Sequence, residues 1–169
     1  MGKAALWRVP ADHFGTLYDY RSKRPDWGGI VTQAMLPIVA GGFVWRLGAK
    51  LSDVSGAVAG VSIVAALLFP MAIFLFQLRV SLPEDKRLGD ADYALVDECM
   101  SNTLWASLWG LVLALFLIVA GAGKWISADG SGPVLTGIAV AAAMHFGLVI
   151  AMCLKRLRRA YERIAMKRA

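Results

Sequence analysis

Between Val54 and Leu78 the chain runs for 25 residues without one formal charge, and its strongly polar members are Ser55, Ser62 and Gln77. Crossing the hydrocarbon layer of a bilayer takes roughly 20 apolar residues in a helix. A soluble fold has little room for such a run, because much of its surface would face water. The stretch therefore reads as a membrane span, closed by Arg79. Gly56 and Gly60 form a small-xxx-small pair within it, a pattern that lets a second backbone approach closely in lipid. Pro70 removes a helical N–H and frees the carbonyl of Ala66, which predicts a kink.

The rest of the chain follows the same rule. Of 169 residues 58% are hydrophobic, and the mean hydropathy is +0.59, both beyond globular norms. The charges gather in a few blocks and leave four uncharged windows, near 28–46, 54–78, 102–123 and 133–154. Residues 1–169 thus read as a single four-span membrane domain, with no room for a separate soluble domain. Met1 to Pro10 lacks the apolar core and cleavage pattern of a secretory signal, so the first span is expected to act as its own uncleaved signal. Cys99 and Cys153 are isolated, without CxxC or Cys/His spacing, and read as buried small residues.

Ahead of the first span, residues 10–22 read as an amphipathic segment in the membrane interface, with Phe14, Leu17, Tyr18 and Arg21 at helical spacing. Asp26 is a plausible N-cap for the first span, and Trp27 suits the headgroup level. Pro37 lies near the middle of that span and frees the carbonyl of Gln33. Gly41-Gly42 offers a close-packing point. The third span is expected to begin as a projecting helix near Asp90, carrying Asp90, Asp92, Asp97 and Glu98. Within the membrane it bears the small residues Ala106, Gly110 and Ala114. The fourth carries Ala143, Gly147 and Ala151 and is expected to continue as a basic tail helix over 155–169.

Lys and Arg counts orient the chain. The N-terminal segment holds five, the connector after the second span three and the tail seven, against Arg46, Lys50 and Lys124 on the opposite side. Both termini of this multi-pass chain are therefore expected in the cytoplasm.

Catalytic chemistry finds little to work with. No phosphate loop, HExxH or GxSxG motif is present. None of the four windows holds a carboxylate, which separates the chain from small multidrug transporters. The expectation is a protein that is not an enzyme and holds no cofactor or metal. His145 is the ionisable residue deep in a span. It is either a functional group facing a wet cavity or a neutral imidazole bonding across helices to a hydroxyl or carbonyl. Pro37, Pro70 and His145 are the pore or gating candidates, and Gly56 and Gly60 the oligomer-packing candidates.

Residues 155–169 sum to +6 and the acidic stretch 79–101 to −3. The tail can anchor on anionic lipid, pair with that acidic stretch, or bind a polyanion such as a nucleotide or single-stranded DNA oligomer. Arg156, Arg159 and Arg163 share one helical flank and, with Arg21, Lys23 and Arg24, are the candidate polyanion contacts. Four helices pack solid, so conduction would need a homo-oligomer with cyclic symmetry.

Several stretches together carry a resemblance. Phe14 to Trp27 (FGTLYDYRSKRPDW) leads into a proline-containing span. Ser62 to Phe69 (SIVAALLF) lies in the second, Glu98 to Trp105 (ECMSNTLW) opens the third, and His145-Phe-Gly-Leu precedes Lys155-Arg-Leu-Arg. The chain resembles the small four-span membrane proteins of bacterial anti-phage defence systems, most of all the membrane effector of Hailong, with the four-span subunit of Kiwa as the rival. The resemblance implies a homo-oligomer, with a tetramer expected, gated by a cytosolic nucleotide or DNA-oligomer signal and depolarising the infected cell's membrane.

The expected fold is an all-α membrane protein of four transmembrane helices, with cytosolic extensions of the third and fourth. The leading functional expectation is a ligand-gated ion channel or pore. The alternatives are a non-conducting sensor or scaffold that recruits a soluble defence partner, and a small-solute transporter.

Overall fold

A computed structural model describes residues 9–11, 13, 18–19, 24–25, 27–81, 90–123, 125–127 and 130–168. Four helices dominate it: α1 (Trp27–Arg46), α2 (Val54–Ser81), α3 (Asp90–Ala122) and α4 (Pro133–Arg168). All four contain a stretch long and apolar enough to cross a membrane. This is an all-α, four-span membrane protein. α3 runs unbroken from Asp90 and α4 continues through its basic tail, as their composition predicts. Two short antiparallel pairs accompany them: β1 (Tyr18–Asp19) with β2 (Arg24–Pro25), and β3 (Ile126–Ser127) with β4 (Gly130–Ser131).

The first of these pairs limits the helix expected over 10–22: residues 9–11 and 13 are helical, but the expectation fails further along. Tyr18–Asp19 is extended and paired with Arg24–Pro25. Phe14, Leu17 and Arg21 lie outside the described residues, and the sequence Ser22 to Pro25 is rich in turn formers that do not favour a continued helix. Asp26, proposed as a cap, lies outside the described residues.

The helices pack in the order α1–α4–α3–α2: α1 against α4, α4 against α3, and α3 against α2. The two central helices supply most of the core, including Trp105, Ala106, Leu113, Leu117, Phe146, Val149 and Cys153. The flanking ones are buried along thin lines. α2 buries Leu68 and Leu75, and α1 buries Gln33, Pro37 and Gly41, spaced one turn apart. Large apolar side chains point outward instead, among them Ile38, Phe43, Leu67, Phe69 and Phe76. That distribution inverts a soluble protein and suits a hydrocarbon surround. Trp27 is exposed at one end of α1 and Trp45 at the other, positions that suit the preference of indole rings for membrane–water boundaries.

Small residues set the closest contacts. A Cβ added at Gly41 would lie 2.5 Å from the carbonyl oxygen of Gly137, and one added at Gly137 would lie 2.8 Å from that of Gly41. The α1–α4 crossing is therefore a mutual glycine contact. In α3 the row Ala106, Gly110 and Ala114 is buried, and a Cβ at Gly110 would meet Phe146 at 2.9 Å and Ala65 at 3.0 Å. That row serves packing inside one chain. Ala143, Gly147 and Ala151 of α4 face outward, as do Gly56 and Gly60 of α2.

Polar groups at the ends are satisfied locally. Gly48, with φ of +66°, ends α1 in the left-handed conformation that glycine adopts without penalty. Asp53 caps α2 by accepting a bond from the Gly56 N–H at 2.8 Å. Between them the Leu51 N–H donates to Ser131 Oγ and Thr136 Oγ1 at 3.0 and 3.1 Å, while Ser131 N–H returns a bond to the Leu51 carbonyl. The turn between the first two helices is thereby tied to the start of α4.

Candidate functional site

At the opposite end the N-terminal segment, the first half of α3 and the far half of α4 come together around buried polar side chains. The local reason lies in α3. Ser101, Asn102, Thr103 and Ser107 each bond to the carbonyl four residues earlier, so a polar run continues a helix without leaving its donors unpaired. Asn102 and Thr103 are fully buried, as is His13.

The bonds form a directed chain. Asn102 Nδ2 donates to the Glu98 carbonyl at 2.8 Å, which fixes the amide orientation. Asn102 Oδ1 therefore accepts from His13 Nδ1 at 2.6 Å. The other ring nitrogen, Nε2, is then an acceptor, and the Gln33 side-chain amide donates to it at 3.4 Å. His13 also stacks on Trp105, with ring centroids 5.3 Å apart and planes 19° from parallel. One histidine thus pins the N-terminal segment to α1 and α3 at once.

His145 adopts the second of its two sequence readings. Its Nδ1 donates to the backbone carbonyl of Gln33 at 3.3 Å, the carbonyl that Pro37 leaves without an intrahelical partner. A proline in α1 and a histidine in α4 thus complete one interaction. His145 meets Trp109 edge-on at 4.8 Å, and Trp109 Nε1 donates to the Ala142 carbonyl at 3.1 Å.

Arg156, expected on an anion-binding flank, is instead drawn inward. Its guanidinium donates to Glu98 Oε2 at 2.9 Å, with side-chain exposures of 13% and 28%. Its flank-mate Arg159 is exposed, as is Lys155. Arg21 and Lys23 lie outside the described residues, and so do the side chains of Arg24 and Arg163. Pro37 is buried against α4, whereas Pro70 faces outward on a helix that continues through it. Cys99 and Cys153 are both buried. Among the described residues no three His, Cys, Asp or Glu side chains are grouped as metal ligands.

Composition left His13, Asn102 and Trp105 unremarked. None of the three stands in a periodic pattern, and His13 meets the other two across about ninety residues of chain. The Gln33 carbonyl that Pro37 frees is the one hint of this site that the sequence carries. The chain matches no protein-family model, no curated protein and no solved structure.

Burial lowers the pKa of His13 from 6.5 to about 4, against the raising effect of its bond to Asn102, with the Arg156 guanidinium lowering it a little further. The buried ring is therefore neutral at physiological pH. Because the pKa falls on docking, the released segment binds more protons between those values. Docking is fully stable above pH 6.5 and weakens steadily as the pH falls toward 4. A spin label at the exposed Ala11, as Ala11→Cys, should gain mobility across that range. His13→Gln should remove the pH dependence.

Proposed function

We propose that this protein is a homo-oligomeric ion channel or pore that depolarises the membrane in bacterial anti-phage defence, gated from the cytosol by an anionic signal such as a nucleotide or DNA oligomer. One observation carries the reading. Arg156 of the basic extension of α4 holds Glu98, whose carbonyl holds Asn102; Asn102 holds His13, and His13 holds Gln33. The Gln33 carbonyl in turn holds His145 in the body of α4. A continuous set of polar contacts thus runs from the basic end into the membrane-embedded pairing of α1 and α4. An anion that draws Arg156 away from Glu98 would loosen that pairing.

Assembly supplies the conducting path, since the core of a single chain is filled by side chains such as Trp105, Leu113 and Phe146. Gly56 and Gly60 lie on the exposed face of α2, where a second copy could approach closely, and a tetramer is the proposed state. The Lys and Arg distribution places both termini in the cytoplasm, where Lys155 and Arg159 also meet anionic lipid. The likeness in sequence layout to the Hailong effector supports the defence role.

Induced expression with a membrane-potential dye tests the reading. A channel collapses the potential once the defence signal is present, and Lys155→Gln with Arg159→Gln weakens the response in a salt-dependent way. A steady potential under full expression and signal would favour a scaffold that recruits a soluble partner.

A further inference from the structure

α2 is the least enclosed of the four spans, and it turns Leu68 and Leu75 to the rest of the chain. Away from them Ser55, Ser62, Ala66, Phe69, Ile73 and Gln77 are all exposed. Steps of three, four and seven residues keep these six on one side of a helix. From Ser55 to Gln77 the row is about 33 Å long, close to the thickness of the hydrocarbon layer.

Polar groups recur along that row, and the chain itself leaves them unserved. The side chains of Ser55, Ser62 and Gln77 make no hydrogen bond among the described residues. In α3, by contrast, Ser101, Thr103 and Ser107 each bond to a carbonyl of their own helix. Pro70 lies within α2 and withholds the N–H that the Ala66 carbonyl would otherwise receive. The other helices present nothing similar to lipid. Within the span the exposed positions of α3 and α4 are apolar, as at Leu111, Ile118, Ile138 and Met144. α1 exposes Thr32 alone among polar side chains between Gly28 and Val44. Hydrocarbon supplies neither donors nor acceptors, so four unserved groups along one row point to water beside it.

We infer that this row of α2 faces water and, in the assembly, forms the wall of the conducting path, its neutral oxygens taking up water and small hydrated ions. The inference rests on the proposed channel and identifies the helix that lines it. Gly56 and Gly60 stand roughly a third of a turn away from the row, so the close approach of a second copy falls beside the path and leaves it open. No formal charge lies between Val54 and Leu78, and such a wall selects by size and hydration more than by sign. Phe69 and Ile73 form its apolar constriction, where dewetting stops conduction. Ser62 and Ala66 lie on the Asp53 side of that constriction and stay in water whether it is open or shut.

Thiol reactivity in membrane vesicles tests the wall directly. A membrane-impermeant thiosulfonate, added on both sides, reacts only with an ionised thiol, and thiols ionise in water but not in hydrocarbon. Ser62→Cys and Ala66→Cys should react at least about tenfold faster than Leu67→Cys, which lies at the depth of Ala66 but on another side of the helix. The parent, whose Cys99 and Cys153 are both buried, gives the background. Ion flux through the same vesicles separates this inference from the reading beneath it. Flux in the parent with both cysteines unreactive would overturn α2 as the wall and leave the channel standing. Reactive cysteines in vesicles that pass no ions would uphold water along the row and overturn the channel instead. Leu67→Cys as reactive as Ala66→Cys would also overturn the inference. So would oxidation that joins two copies through Ser62→Cys while the reagent is shut out, because the row would then be a dry contact.

Discussion

Gly41→Ala is expected to separate α1 from α4, while the same change one residue later is expected to be silent. The added methyl at position 41 would stand 2.5 Å from the Gly137 carbonyl and 2.8 Å from the Ala141 Cβ, whereas a Cβ at Gly42 meets nothing within 4 Å. Neither neighbour at Gly41 can yield, since one is backbone and the other a side chain of a single carbon. Overpacking in a filled contact costs about 1–3 kcal/mol, and a clash with backbone belongs at the upper end or beyond. The crossing is narrow, because α1 buries only Gln33, Pro37 and Gly41 along its contact line. Thermal unfolding in mild detergent compares the two variants directly. Equal midpoints for Gly41→Ala and Gly42→Ala would show that the crossing is looser than the structure has it. Gly137→Ala should reproduce the Gly41 result, because each glycine faces the other's carbonyl.

The second large effect concerns the ion pair between Arg156 and Glu98. Both partners are partly withdrawn from solvent, and Glu98 lies one turn before the buried Asn102. Removing the arginine leaves the carboxylate without its cation in a place of low polarity. Changes of this kind cost about 3–5 kcal/mol when burial is complete, and roughly 1–3 kcal/mol is expected here because neither side chain is fully enclosed. Arg156→Leu should therefore lower stability clearly, and Glu98→Leu should restore much of it in the double variant. A double-mutant cycle measures the coupling. The Arg158–Glu162 pair provides the contrast. Its exposures are 82% and 46%, and removing it should change stability by no more than about 0.5 kcal/mol. A coupling near zero for Arg156 and Glu98 would return Arg156 to the solvent-facing flank that its spacing with Arg159 suggests.

Glu98 and Arg156 also show where reading the chain linearly stops. Both are conspicuous in the sequence, one on an acidic projecting helix and the other on a basic tail, and their opposite charges make pairing conceivable. Nothing in their spacing says that this arginine, and not Lys155 or Arg159, turns inward. That choice follows from the rotation of α4 about its axis, which is set further along by Ala139, Phe146, Val149 and Cys153 entering the core.

The four spans were legible from residue type alone, because hydrocarbon is a solvent that admits long uncharged stretches and rejects others. The unbroken lengths of α3 and α4 followed too, from helical patterning that continues past the apolar windows. Pro37 and its stranded Gln33 carbonyl could be named in advance, since a proline always removes the same bond. What receives that carbonyl could not. His145 lies 112 residues away, and which helix crosses α1 is a matter of packing. The same holds for the small-residue rows, which look alike in the sequence. Tertiary structure turns Ala106, Gly110 and Ala114 inward while leaving Gly56, Gly60, Ala143, Gly147 and Ala151 on the outer surface. In a membrane, apolar residues are stable on either side of a helix. Composition therefore determines that a segment crosses, and only close packing and buried hydrogen bonds decide which face turns inward.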